Sequence, residues 1–181
     1  MHIVGCLVFG MLEYYAVLPS DCPKDASMNC TIVSRVIDIL AEKLHQKGEG
    51  FCFPGVMIVN VDNTPRESKN SIFGSYLASL VSRDIFREVE CQYLQCDHTH
   101  NELDQRFSSM ASKIGKADHL EDPGDLVQYL KDNMTAAGGR DLVVELLPNT
   151  WNFKEWMVGY GLHVQGLTST WRSGVVTICL A

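Results

Sequence analysis

The apolar pattern of the chain predicts an α/β fold with a mixed sheet, on two observations. Strand-like apolar runs alternate with amphipathic helical stripes, and the chain opens on two short apolar runs close enough to pair as an antiparallel hairpin. A third observation bears on function: polar residues interrupt the chain where apolar strands stop, which is where open α/β sheets place their ligands.

Residues 2 to 9 and 13 to 18 are rich in β-branched and aromatic side chains and flank Gly10-Met11-Leu12, which reads as a hairpin. Pro19 to Ser27 is a loop that ends near Asn29, a good helix N-cap. From Cys30 to Lys47 the residues Val33, Val36, Ile37, Leu40 and Leu44 recur at three and four, so the segment is an amphipathic helix stopped by Gly48 and Gly50. Val56 to Val61 is almost uninterrupted in apolar character, as in a strand buried on both faces, and Asp62 ends it.

After a turn at Thr64 to Glu67, the residues Ile72, Phe73, Tyr76, Leu77, Leu80 and Val81 predict a second helix. A further strand follows within Arg87 to Gln95. From about Thr99, Leu103, Phe107, Met110 and Ile114 form one helical stripe that ends at Gly115. The remainder is less regular: a short helix at Asp125 to Lys131, a Gly-containing loop at Ala136 to Arg140, and a strand or short apolar helix at Leu142 to Leu147. Trp151, Phe153 and Trp156 then form an aromatic cluster, and Gly174 to Leu180 closes the chain as a strand. A boundary near 115 to 123, with Asp122-Pro123-Gly124 as its turn, separates a core over residues 1–115 from a C-terminal extension over 116–181 packed on it.

Composition limits the function classes. A chain of 181 residues with 46% hydrophobic residues can bury a sizeable core. Its formal net charge of −7 argues against broad attraction to DNA or anionic lipid. A local basic patch remains open, because Arg66, Lys69, Arg83, Arg87, Arg106, Lys113 and Lys116 all fall in the central third. The seven cysteines are odd in number and form no CxxC pair, so they read as reduced thiols of an intracellular protein, nuclear or cytoplasmic. No stretch approaches the ~20 apolar residues of a membrane span, so no membrane partner is expected.

Two polar outcrops remain. Asp62-Asn63 stands at the carboxyl end of the Val56 to Val61 strand, a position that suits a metal-binding or catalytic acid and equally suits a turn before Pro65. His98-Thr-His100-Asn-Glu102-Leu-Asp104 opens the third helix, with His100 and Asp104 on one face. Imidazole and carboxylate are metal ligands, and carboxylate with water is what Mg²⁺ prefers. The same run also reads as a helix N-terminus decorated with acids. A mononuclear metallohydrolase built on His98, His100 and Asp104 with His119 or His163 is a further alternative.

A resemblance favours the metal reading. Val61-Asp62-Asn63, Glu67-Ser68-Lys69-Asn70, Arg83 to Glu90, and His98 to Gln105 followed by Phe107-Ser108 together resemble a transposon-derived eukaryotic family, a domain of unknown function (DUF7869) with the pattern DN…ENKN…GHTHEDIDQ…FS. The resemblance spans roughly residues 2 to 115. The element order also resembles the RNase H-like core of DDE transposases and integrases. That resemblance implies an RNase H-like mixed sheet flanked by helices, lacking its first strand, with a less regular α+β extension.

It further implies Mg²⁺, or Mn²⁺ in its place, held by Asp62 and Asp104 as catalytic acids for phosphodiester cleavage or strand transfer on DNA. His98 and His100 would join as metal-site residues, with Asn63, Lys69, Asn70 and Glu102 in support. The resemblance leaves the first acid of a three-acid site without a counterpart, and Cys96-Asp97 replaces the small residue and Gly that precede the His run. Activity is therefore expected to be impaired. The alternative is a domesticated, non-catalytic module that binds nucleic acid or protein.

Overall fold

The computed structural model describes residues 1–46, 53–62, 64–93, 102–117, 120–158 and the backbone of 179–180. It is a mixed α/β structure in two compact units, each discontinuous in sequence. The first comprises Met1–Pro23, Gln95–Asn149 and Cys179–Ala181, and the second Lys24–Leu94 and Thr150–Ile178.

In the first unit β1 (His2–Val8) and β2 (Leu12–Leu18) form the expected antiparallel hairpin, in register from His2 opposite Leu18 to Val8 opposite Leu12. Gly10 turns the chain at φ +72, a left-handed conformation that glycine takes without steric cost. β5 (Asp141–Leu146) pairs parallel to β2, which settles the 142–147 segment as a strand. β6 (Cys179–Leu180) pairs antiparallel to β1, so the strand order is β6-β1-β2-β5 and the sheet is mixed. All seven residues of the central strand β2 are buried.

The helices α3 (Glu102–Ile114) and α4 (Pro123–Asn133) pack on this sheet. Leu103 and Met110 of α3, Leu126, Val127 and Leu130 of α4, and Tyr15, Val17 and Val144 of the sheet form one core, with Phe107 and Ile114 packed against it. The predicted α3 stripe is therefore the face that packs. Gly5 of β1 lets α3 come close, because a Cβ there would meet the Phe107 ring at 2.9 Å and Leu103 at 3.0 Å. The Asp122-Pro123-Gly124 segment, read as a turn, is instead the start of α4. Asp122 accepts from the Asp125 N–H, the Asp125 carboxylate accepts from the Asp122 N–H, and Pro123 occupies the first turn, where its missing N–H costs nothing.

In the second unit α1 (Ala26–Gln46) begins before the Asn29 cap expected from sequence. Asp25 performs that role, its carboxylate accepting from the Ser27 and Met28 N–H groups at 2.9 and 3.3 Å. β3 (Val56–Val61), α2 (Ser71–Ser82) and β4 (Glu88–Tyr93) form a parallel β-α-β unit, paired from Val56 opposite Glu88 to Val61 opposite Tyr93. Met57, Val59 and Val61 are buried, while the alternate residues Val56, Ile58 and Asn60 are half-buried. β3 is thus fully buried on one face, not on both as its apolar run suggested. The short helix α5 (Phe153–Met157) packs Phe153 edge-on to Tyr76 of α2, ring centroids 5.0 Å apart. Among the described residues no helix is long and apolar enough to cross a membrane.

Candidate functional site

The sequence-predicted residues fall on both units. Asp62, Lys69 and Asn70 belong to the second unit, and Glu102 and Asp104 to the first. Asn63, His98 and His100, like His119 and His163, lie outside the described residues. Among the described residues no three His, Cys, Asp or Glu side chains gather closely enough to hold a metal ion together.

Asp62 follows directly on β3 and faces solvent. The loop behind it is fixed. The Thr64 hydroxyl donates to Asp62 Oδ2 at 2.5 Å, while the Thr64 carbonyl accepts from the N–H groups of Glu67, Ser68 and Lys69. Asn70 then fastens the loop to α2: its Oδ1 accepts from the Phe73 N–H at 3.0 Å, and its amide donates to the carbonyls of Pro65 and Arg66. Below, the buried Asn29 amide of α1 donates to Ser68 Oγ and to the Glu67 carbonyl, and the Tyr93 hydroxyl at the end of β4 donates to the Ser68 carbonyl. Lys69 lies over the Tyr93 ring, its ammonium 5.7 Å from the centroid. The result is a braced loop at the carboxyl edge of a parallel β-α-β unit, carrying the carboxylates of Asp62 and Glu67, the cations of Arg66 and Lys69, and a capped helix N-terminus.

Divalent magnesium suits part of this chemistry. Asp62 and the Thr64 hydroxyl supply hard oxygen donors, and Mg²⁺ commonly binds through one or two carboxylates while keeping its waters. Glu102 does not suit it. Its carboxylate accepts two hydrogen bonds from the Arg140 guanidinium, which holds its pKa below the usual carboxylate range against the opposing effect of burial. Asp104 lies half-buried in the first turn of α3, one helical face away from Leu103 in the core.

The charged centre of the first unit was not foreseen. Glu13 on β2 is fully buried, and its two oxygens accept from Arg106 of α3, from Arg140 ahead of β5 and from the Ala137 N–H, at 2.7 to 3.1 Å. Arg106 also donates to the Thr135 carbonyl. Two carboxylates, Glu13 and Glu102, thus balance two guanidiniums, and one of those carboxylates has no contact with water. Beside them burial, with Glu13 adding to it, pushes the Tyr15 phenol up to about 12. The only sequence signal was an acid at the second position of an otherwise apolar strand, with partners 93 and 127 residues away.

A mixed sheet with helices defines the chain as a mixed α/β protein. Over residues 1–171 the chain matches the family described as "Domain of unknown function (DUF7869)", and it belongs to that family. No curated protein and no solved structure matches it.

Proposed function

We propose that this domain engages a Mg²⁺-bearing phosphodiester of nucleic acid at the carboxyl edge of β3-α2-β4, as an RNase H-like domain of the transposase and integrase type. The observation that carries the reading is Asp62: a solvent-facing carboxylate at the end of a parallel strand, hydrogen-bonded by Thr64 of a loop that Asn70 and Tyr93 brace. Mg²⁺ in such sites is shared between a protein carboxylate and phosphate oxygens. Lys69 and the positive end of α2 supply favourable charge for those oxygens. The order of elements supports the fold analogy: an antiparallel pair, a helix, a parallel β-α-β unit, then a helix.

A second reading is a non-catalytic interaction module. It draws on the net charge of −7 and on Trp151, which is 50% exposed, since tryptophan is enriched among residues that dominate binding interfaces. Mg²⁺ or Mn²⁺ titration of the protein with a short DNA, followed by NMR, separates the two. The first reading expects metal-dependent shifts at Asp62 and Thr64 that Asp62→Asn abolishes, and metal-dependent nicking of labelled DNA distinguishes turnover from binding. Asp104→Asn is carried as a separate arm, because Asp104 belongs to the other unit.

A further inference from the structure

At the amino-terminal end of β3, the end opposite Asp62, the second unit carries an open pocket of about 530 Å³, within the size range of small-molecule sites. Its apolar lining is Ile37 of α1 with Phe53 and Ile85, and the Phe53 ring is backed by Phe86 with centroids 5.2 Å apart. Ala41 and Gly55 add small residues, and three charged residues complete the lining: Asp38 of α1, Asp84 after α2, and Arg87 ahead of β4.

Asp84 sits there by an unusual route. α2 ends with the Ile85 N–H on the Leu80 carbonyl and the Asp84 N–H on the Val81 carbonyl, a closure whose left-handed residue is ordinarily glycine. Asp84 takes that conformation at φ 56 and lies on the pocket lining. Asp38 is paired only loosely, with Arg35 at 3.9 Å across an exposed helical surface.

The lining selects among ligand charges. An organic anion would meet the repulsion of two carboxylates, and a simple cation that of the Arg87 guanidinium. An uncharged solute would satisfy neither sign. We propose that the pocket binds a free α-amino acid with an apolar side chain, its ammonium on Asp84 and Asp38, its carboxylate on Arg87 and its side chain against Ile37, Phe53 and Ile85. This site does not depend on the Asp62 reading.

The test titrates L-phenylalanine and L-leucine into the full chain by NMR, with phenethylamine (no carboxylate) and 3-phenylpropionate (no ammonium) as controls. The expected result is saturable shifts at Ile37 and Ile85, with each control at least about tenfold weaker, as for the loss of one charge-assisted hydrogen bond. Asp84→Asn and Arg87→Gln should each weaken binding about tenfold or more, while Asp62→Asn leaves it unchanged. Asp84→Gly separates binding from folding, because it relieves the left-handed position and should raise Tm while still losing the amino acid. Absence of saturable shifts with both amino acids overturns the proposal. So does binding of phenethylamine as tight as that of phenylalanine, or affinity unaffected by both Asp84→Asn and Arg87→Gln.

Discussion

Glu13 on β2 has no exposure to water and takes hydrogen bonds from two guanidiniums and a backbone N–H, whereas Asp62 past β3 stands in solvent beside the hydroxyl of Thr64. Both are single acids set against apolar strands. Their surroundings differ because a carboxylate withdrawn from water must have its charge and all its lone pairs satisfied inside the protein, which commits it to structure. A carboxylate left in solvent on a braced loop can exchange water for a cation without disturbing the fold. Chemical type alone therefore does not separate structural acids from candidate site acids here; burial does.

The strongest way to break this comparison is Glu13→Ala. It leaves Arg106 and Arg140 without their shared partner and the Ala137 N–H without an acceptor, and removing one partner of a buried ion pair costs about 3–5 kcal/mol. Urea denaturation should show that loss. A midpoint close to that of the natural chain would mean that Glu13 is not held as described.

Asn70→Ala strikes the brace of the Asp62 loop. It removes the α2 N-cap, typically about 1 kcal/mol, together with the two bonds to the Pro65 and Arg66 carbonyls. Asn70→Asp keeps the cap and loses only those carbonyl bonds, so its stability should fall between the two, read by the same denaturation.

The smallest effect is at Glu102, whose side chain is 38% exposed. Arg140 holds its folded pKa below the ordinary value, so its contribution to stability is complete above the ordinary carboxylate pKa and is lost as pH falls through the lowered one. Glu102→Gln should therefore be less stable than the natural chain at neutral pH, with the gap closing in acid. A gap that stays constant between neutral and acid pH would contradict the pairing with Arg140.

The local elements were legible because their signals are local. The hairpin, the β3-α2-β4 alternation and the α3 stripe each follow from periodicities of two or 3.6 within a short window. The α1 cap was misplaced because Asp25 and Asn29 are both good capping residues, and only the packing of Asn29 against Ser68 removes it from the choice. Asp122-Pro123-Gly124 has the composition of a turn and of a helix start alike, and the carboxylate of Asp125 decides for the helix. The position of Asp62 just past a strand end was legible from the apolar run that it interrupts. Glu13 was not, since its partners come from distant segments and charge pairing leaves a readable pattern only at helical spacings of three or four.

We propose Asp62 as a cation-holding carboxylate. The most direct test is a Mg²⁺ titration of the natural chain and of Asp62→Asn, followed by the backbone amides of Thr64, Lys69 and Phe73, with stability recorded alongside. A surface Asp→Asn change should move stability by no more than about 0.5 kcal/mol. The account predicts saturable shifts at those amides in the natural chain and their loss in the variant, with the fold unchanged. Shifts of equal size and midpoint in Asp62→Asn would contradict it.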